Sequence, residues 1–89
     1  MKAIVTVVGK DQVGIIAMVC VKLAEFNINV LDISQTVMQG YFTMMMVVEV
    51  SQCSVPLDEM VEKMAELGTS RGLSIRVQRE EIFDAMHRV

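Results

Sequence analysis

An α+β fold is predicted by two hydrophobic periodicities that follow one another in a definite order along the chain. Residues 2–8, 28–38, 41–50 and 73–78 are rich in Val, Ile or Met, or alternate apolar with polar residues, as strands do. Two intervening segments repeat apolar residues at helical spacing. The order β-α-β-β-α-β is the split βαβ or ferredoxin-like arrangement, a sandwich of a four-stranded antiparallel sheet with two helices on one face.

Signals for helix boundaries complete this prediction. The first helix is predicted between Val13 and Phe26, with Asp11 as a suitable N-cap and Asn27 at its C-terminal end. The second helix is predicted to begin at Ser54-Val55-Pro56, with the serine as the cap and the proline in the first turn. A short C-terminal helix is predicted from Glu80 onward by helically spaced apolar residues: Ile82, Phe83, Met86 and Val89.

The strands predict an exposed apolar surface. Gln39-Gly40 predicts a hairpin turn, because Gly40 is free to adopt a positive φ. In this topology the first and third strands are central, and these two are apolar on both faces. Since two helices cover one face only, a second copy of the chain is the simplest partner for the other, which predicts a homo-oligomer, most simply a dimer. The residues expected on that open face are either Val5 and Val7 or Ile4 and Val8, together with Met45 and Val47.

The composition is that of one small globular domain spanning residues 1–89. Apolar residues make up 53% of the chain and charged residues 21%, which favours a packed core over disorder. The formal net charge is −3 and the Lys and Arg residues are scattered, so a nucleic-acid partner is not expected. No apolar run is long enough to cross a bilayer and no cleavage site follows the first apolar run, so we expect no membrane partner and a cytoplasmic location.

Side chains that could hold a metal ion or perform catalysis are sparse. The two cysteines form no CxxC motif and His87 is the only histidine, so neither a metal site nor a cofactor is expected. Neighbouring residues of the run Met44-Met45-Met46 point to opposite faces of a strand and therefore cannot converge on one ion. An acylphosphatase of the same topology needs an arginine in its phosphate loop, where this sequence has Lys10. We therefore expect a protein that is not an enzyme.

The loop Gly9-Lys10-Asp11-Gln12-Val13-Gly14 carries the most specific functional signal. The first N–H groups of the following helix lack intrahelical partners and carry partial positive charge, which suits a carboxylate. Asp11 either caps the helix or holds the ammonium group of an amino acid. Gly14 allows either close packing of the helix on the strand or the close approach of a ligand. Asn29 is either a simple residue at a strand start or an amide offered to a ligand at a subunit contact.

These residues resemble an ACT domain. The resemblance runs from the strand ending in Gly9 through Asp11-Gln12-Val13-Gly14-Ile15 to residues 26–35, and it covers essentially the whole chain. The ACT loop motif is often Asp-Arg-Pro-Gly; here the aspartate and the final glycine match, while Gln and Val replace the arginine and proline. The chain is similar to the small stand-alone ACT proteins of bacteria and archaea, which are similar to the glycine-cleavage-system transcriptional repressor.

The resemblance implies a regulatory, ligand-sensing module. ACT domains are attached to, or associated with, enzymes and regulators of amino-acid metabolism, and this chain would bind a small amino acid at a dimer interface and modulate that metabolism or its transcription. Asn29 falls where a side chain commonly contacts the ligand across an ACT dimer. The alternative is a protein–protein interaction module without a metabolite ligand. The implied ligand-binding residues are Asp11, Gln12, Val13, Gly14, Ile15 and Asn29.

Overall fold

The computed structural model describes residues 1–81, which form four strands and two helices. In chain order the elements are β1 (Lys2–Lys10), α1 (Ile15–Glu25), β2 (Asn29–Met38), β3 (Tyr41–Glu49), α2 (Leu57–Ser70) and β4 (Ser74–Arg79). This order confirms the predicted α+β, ferredoxin-like fold. The predicted C-terminal helix falls, apart from Glu80 and Glu81, on residues outside the described part of the chain, as does His87.

The four strands form one antiparallel sheet in the order β2-β3-β1-β4. β1 lies in the middle and pairs along its whole length with β3, Lys2–Lys10 running against Tyr41–Glu49. The central positions of β1 and β3 confirm the prediction made from their apolar residues on both faces. Gln39 and Gly40 make the turn between β2 and β3 at φ values of 52° and 81°, so the hairpin prediction is confirmed as well.

α1 begins at Ile15, within the segment predicted to be helical, and its N-cap residue is Gly14 at φ 86°. The prediction that Asp11 caps this helix is wrong, because the positive φ of Gly14 turns the chain immediately before the first helical residue. The backbone N–H of Asp11 instead donates to the carbonyl oxygen of Gly40 at 2.8 Å. At the other end, Asn27 adopts a φ of 60° and terminates the helix as predicted.

α2 begins at Leu57, and the prediction that Ser54 caps it is wrong. The N-cap residue is Pro56, whose extended ψ of 146° keeps the proline just outside the helix instead of in its first turn. The backbone N–H of Ser54 donates to the carbonyl oxygen of Phe26 at 2.9 Å. Ser54 therefore joins the approach to α2 to the end of α1.

Gly68 allows the C-terminal part of α2 to lie directly on the start of β4. A Cβ atom at this position would meet the carbonyl oxygen of Leu73 at 2.7 Å and Cγ1 of Ile75 at 2.9 Å. The backbone N–H of Leu73 donates to the carbonyl oxygen of Gly68 at 2.8 Å. The lack of a side chain is therefore what sets the position of this end of α2 on the sheet.

The hydrophobic core lies between the sheet and the two helices, and methionine contributes much of it. Val5 and Val7 of β1 are fully buried on this side. Of the two sets expected on the open face, Ile4 and Val8 are therefore the pair that points away from the helices. The largest fully buried side chains are Leu23, Met44, Met46, Met60, Met64, Val5, Val7, Val19 and Val48.

The open face of the sheet is exposed unevenly. Val8 is 42% exposed and Met45 is 37% exposed, as expected of an uncovered surface. Ile4 lies on the same face of the same strand as Val8 but is only 6% exposed, so the expectation that it is open is wrong. Exposure on this face rises from the Ile4 end of β1 to the Val8 end.

Candidate functional site

The loop of residues 11–14 lies at the end of the sheet where β1 stops and the β2–β3 turn closes. The hydrogen bond from the Asp11 N–H to the Gly40 carbonyl joins the loop to that turn. The side-chain Nε2 of Gln12 donates to the carbonyl oxygen of Arg71 at 3.1 Å and joins the loop to the residue that follows α2. The loop is therefore joined to both the sheet and the end of α2.

The first turn of α1 presents backbone donors at this loop. The first helical hydrogen bond runs from the N–H of Met18 to the carbonyl oxygen of Gly14 at 2.9 Å, so the N–H groups of residues 15–17 precede the helical ladder. Within the described residues no side chain caps the helix, and its first turn contains no acidic residue. The partial positive charge of this helix end is not offset by an acidic side chain within the first turn and suits an anionic group.

The side chains of the loop differ in what they present to solvent. Val13 is 96% exposed, whereas Ile15 is 3% exposed and can offer a ligand only its backbone N–H. Asp11 is exposed and Gln12 is half-buried. Within residues 1–81, no atom beyond the chain neighbours of Gly14 lies within 4 Å of a Cβ placed on it, so close packing of helix on strand does not explain this glycine. Its positive φ does explain it, and the space beside it is open.

Asn29 does not join the loop within one chain. It is the first residue of β2 and pairs with Glu49, whereas the loop follows Lys10, which pairs with Tyr41 at the opposite end of β3. Eight strand steps separate the two ends, roughly 27 Å at the rise of a β-strand. The structure therefore brings residues 11–15 together and leaves Asn29 at the far end of the sheet.

Asn29 lies next to a small ionic cluster. The carboxylate of Glu49 accepts a hydrogen bond from the Met1 ammonium group at 2.7 Å and another from the Ser51 hydroxyl at 2.7 Å. The ammonium group and the Ser51 hydroxyl stabilise the charged carboxylate and lower the pKa of Glu49 to about 2. This cluster closes the end of the sheet opposite the loop.

The outer edge of β2 was predicted as a sheet edge, but the sequence interpretation did not single it out among the strand edges and sheet faces through which copies could associate. Every residue of β2 except the half-buried Val30 is exposed, and the strand contains no Lys, Arg or Pro to discourage pairing with another strand. Its exposed apolar residues include Ile33 at 42% and Val37 at 54%. The other edge strand, β4, is four residues shorter and carries Arg76 and Arg79. The lack of Lys, Arg and Pro in β2 is the sequence signal that could have identified this edge as an interface.

One flank of α1 extends this apolar edge. Met18, Lys22 and Glu25 line a depression shared with α2 and so mark the flank that faces that helix. Ile16, Cys20 and Ala24 recur at intervals of four residues on a different flank. Ala24 shares a shallow depression of about 240 Å³ with Asn27, Ile28 and Asn29 at the start of β2, so this flank faces β2. Ile16 is 37% exposed there.

Other kinds of site were sought among residues 1–81: pockets away from the loop, metal-binding clusters and membrane-spanning helices. Depressions of about 630 and 490 Å³ lie between α2 and β4 and between α1 and α2, and neither is lined by residues 11–15. In this part of the chain no group of three His, Cys, Asp or Glu side chains could hold a metal ion. The described helices are also too short or too polar to cross a membrane.

Comparison with known proteins identifies the family. The family model of the ACT domain, which describes the family's sequences, matches residues 2–78 of this chain. A protein of the UPF0237 group from Listeria monocytogenes is 53% identical over 89 residues, with all of both chains covered. The solved structure of an ACT domain protein from Streptococcus pneumoniae is 45% identical and superposes with a TM-score of 0.82 over 98% of each chain.

The likeness to the glycine-cleavage-system repressor is more distant than the sequence interpretation implied. A solved structure described as a putative repressor of this kind is 22% identical, with a TM-score of 0.72 over 88% of this chain and 44% of that one. At this identity the comparison supports the shared fold alone. The matched family model and the highly similar relatives agree, and the chain is a member of the ACT domain family, in its UPF0237 group.

Proposed function

We propose that this chain is a non-catalytic regulatory module that binds a small amino acid between two copies of itself. The observation that supports this most is the separation of Asn29 from the loop of residues 11–14, combined with the unprotected outer edge of β2. One chain holds the two halves of the implied site at opposite ends of its sheet. A second copy of the chain that pairs at the β2 edge brings the loop of one copy and Asn29 of the other to the same place.

Two-fold pairing along β2 would bring the loop and Asn29 together. When two β2 strands pair antiparallel about a two-fold axis, the Asn29 end of one strand lies opposite the Met38 end of the other. Met38 pairs with Tyr41, which in turn pairs with Lys10 at the start of the loop. Asn29 of the partner subunit therefore arrives at the end of the sheet that holds the loop of the first.

The same pairing would stabilise the dimer. It satisfies backbone N–H and C=O groups along an edge strand of ten residues. It also removes exposed apolar side chains from water, including Ile33 and Val37 on the side of β2 that faces the helices. The flank of α1 that carries Ile16 adds to this surface.

The chemistry of the loop suits an amino acid in its zwitterionic form. The uncapped N–H groups at the start of α1 would receive the α-carboxylate. The exposed carboxylate of Asp11 would hold the ammonium group. The amide of Asn29 from the partner subunit offers one donor and one acceptor to the remaining polar groups. The hydrogen bond between Gln12 and Arg71 then links the site to α2.

Binding would regulate by favouring one arrangement of the two copies over another. The effect is limited to the difference in ligand affinity between the two arrangements. Membership of the ACT family supports amino-acid metabolism, or its transcription, as the process that is regulated.

A calorimetric and thermal-shift panel of the common amino acids tests the proposal. We expect at least one to bind the full chain, and Asp11→Asn to weaken it by about 2 kcal/mol, roughly thirtyfold in Kd, because a charge-assisted contact is lost. Asp58→Asn removes another exposed carboxylate, at the start of α2, and is expected to leave the affinity unchanged. A panel without heat or thermal shift would contradict the ligand-binding role.

The second candidate is a protein–protein interaction module without a metabolite. The exposed β2 edge and the open sheet face favour it, since both are suited to a macromolecular partner. A stable dimer that binds none of the amino acids would support this candidate over the first.

A further inference from the structure

A β-bulge interrupts β2 near its start. Val30 pairs with Val48 and Asp32 pairs with Val47, which are consecutive residues of β3, so Leu31 is an extra residue in the described sheet. A bulge of this kind shifts the alternation of faces along its strand by one position. It therefore changes which residues can lie opposite one another when two copies of β2 pair.

The pairing with β3 shows which face of the sheet each residue of β2 occupies. The residues that pair with buried residues of β3, and so lie on the side of the helices, are Val30, Ile33, Gln35 and Val37. The residues on the open face are Asn29, Asp32, Ser34, Thr36 and Met38. Directly opposite residues of an antiparallel pair point to the same face. When two copies of β2 pair, each residue must therefore lie opposite a residue of its own set.

The bulge makes end-to-end pairing of two β2 strands possible. A strand of ten residues paired end to end with a second copy has its two-fold axis between the fifth and sixth residues. These residues, Ile33 and Ser34, lie on different faces, so this register is excluded for a regular strand. Leu31 removes the conflict, because the remaining nine residues have Ser34 at their centre. The opposite residues are then Asn29–Met38, Val30–Val37, Asp32–Thr36, Ile33–Gln35 and Ser34 with itself.

The neighbouring registers leave part of each strand unpaired. With the axis at Ile33, the last two residues of β2 would lie opposite residues 27–28, which precede the strand. With the axis at Gln35, the first two residues would lie opposite residues 39–40, which form the turn at positive φ. The register centred on Ser34 pairs all nine aligned residues and so satisfies the most backbone groups along the edge.

We infer that the bulge at Leu31 sets the register of the β2 dimer, with the two-fold axis passing through Ser34. This register rests on the dimer of the proposed function and specifies its geometry. Asn29 of the partner subunit then lies directly opposite Met38, which pairs with Tyr41 beside the start of the loop. The bulge thereby allows the partner's Asn29 to reach the loop without leaving any other aligned residue of β2 unpaired.

Disulfide formation between cysteines introduced on β2 tests this register. Directly opposite residues have Cα atoms about 4.5–5.5 Å apart, a distance that a disulfide spans. Diagonal neighbours are roughly 7–8 Å apart, beyond its usual span. We therefore expect Ser34→Cys, oxidised with glutathione disulfide, to form a dimer joined through residue 34. Ile33→Cys and Gln35→Cys are the matched controls: neither should join to itself, whereas a mixture of the two should form a mixed disulfide.

Non-reducing electrophoresis measures the joined fraction of each variant. We expect this fraction to be roughly tenfold higher for Ser34→Cys than for either control alone, because a disulfide stretched beyond its usual span is strained. Peptide mass spectrometry identifies the joined residues, since Cys20 and Cys53 are also free thiols. All three substituted positions are exposed, so the replacements leave the core intact.

The outcomes distinguish the register from the interface itself. Efficient joining of Ile33→Cys or Gln35→Cys to itself would overturn the register and leave the β2 dimer in place. Failure of every variant and of the mixture would overturn the register together with the β2 dimer. Ligand binding is measured separately by the amino-acid panel, so its failure would not be confused with either result.

Discussion

Gly14→Ala separates the structural role of this glycine from its proposed role beside a ligand. Gly14 has a φ of 86°, which an alanine adopts at a cost of about 1–2 kcal/mol. No atom of residues 1–81 outside the immediate chain neighbours lies within 4 Å of the added methyl group, so these residues add no steric cost. We therefore expect a loss of about 1–2 kcal/mol in the free energy of unfolding, which lowers Tm by roughly 4–16 °C in a domain of this size.

Gly72→Ala is the matched control for this experiment. Gly72 has a φ of 71° and likewise has nothing within 4 Å of a built Cβ, but it follows α2 instead of preceding α1. Urea unfolding should give both variants similar losses of stability. Calorimetry with an amino acid that binds the parent chain should show weaker binding for Gly14→Ala alone, because its methyl group lies at the first N–H groups of α1.

Two results would refute this reasoning. A loss of stability at Gly14 far above that at Gly72 would mean that the methyl group meets atoms that the open space beside Gly14 does not predict. Equal ligand affinity in both variants would mean that no ligand approaches the start of α1 closely.

Three further predictions concern the edge, the helix contact and the ionic cluster. Ile33→Lys places a charge on the apolar side of β2 and should convert the proposed dimer to a monomer in light scattering, whereas Ser74→Lys on the β4 edge should leave the mass of the proposed dimer unchanged. Equal masses for both variants would contradict the β2 interface. Gly68→Ala should lower the free energy of unfolding by about 1–2 kcal/mol, because the steric cost against the backbone of Leu73 exceeds the gain in helix propensity. A variant as stable as the parent in urea would show that α2 can move away from β4. Because the pKa of Glu49 is depressed, its contribution to the free energy of unfolding is complete above the ordinary pKa of 4.5 and disappears as the pH falls to about 2. The Tm values of Glu49→Gln and the parent chain, plotted against pH, should therefore converge over that range. Parallel plots would contradict this prediction.

The sheet could be predicted from the sequence because its signals are local and mutually consistent. Apolar residues on both faces identified β1 and β3 as central, and Gln39-Gly40 identified the hairpin. The helix caps could not be predicted in the same way. Asp11 and Ser54 are suitable caps by residue type, but their backbone N–H groups are used in contacts to Gly40 and Phe26 that depend on the tertiary fold.

The candidate site could be predicted only in part. The loop of residues 11–14 was recognisable from its glycines and its position before a helix. The position of Asn29 at the far end of the sheet follows from the order β1-α1-β2, because the crossover helix returns the chain to the end of the sheet where β1 begins. The burial of Ile4 was not predictable, because alternation along β1 assigns its side chain to a face of the sheet but does not give its exposed fraction.

The methionine-rich interior has a consequence for how the fold responds to movement and to oxidants. Met44 and Met46 on β3 and Met60 and Met64 on α2 are fully buried. Unbranched thioether chains can change rotamer and refill space when a helix slides on a sheet, so small displacements of α2 need not open cavities. The same four sulfur atoms are shielded from peroxide while the domain stays closed. Their conversion to sulfoxide would therefore record how often the interior opens.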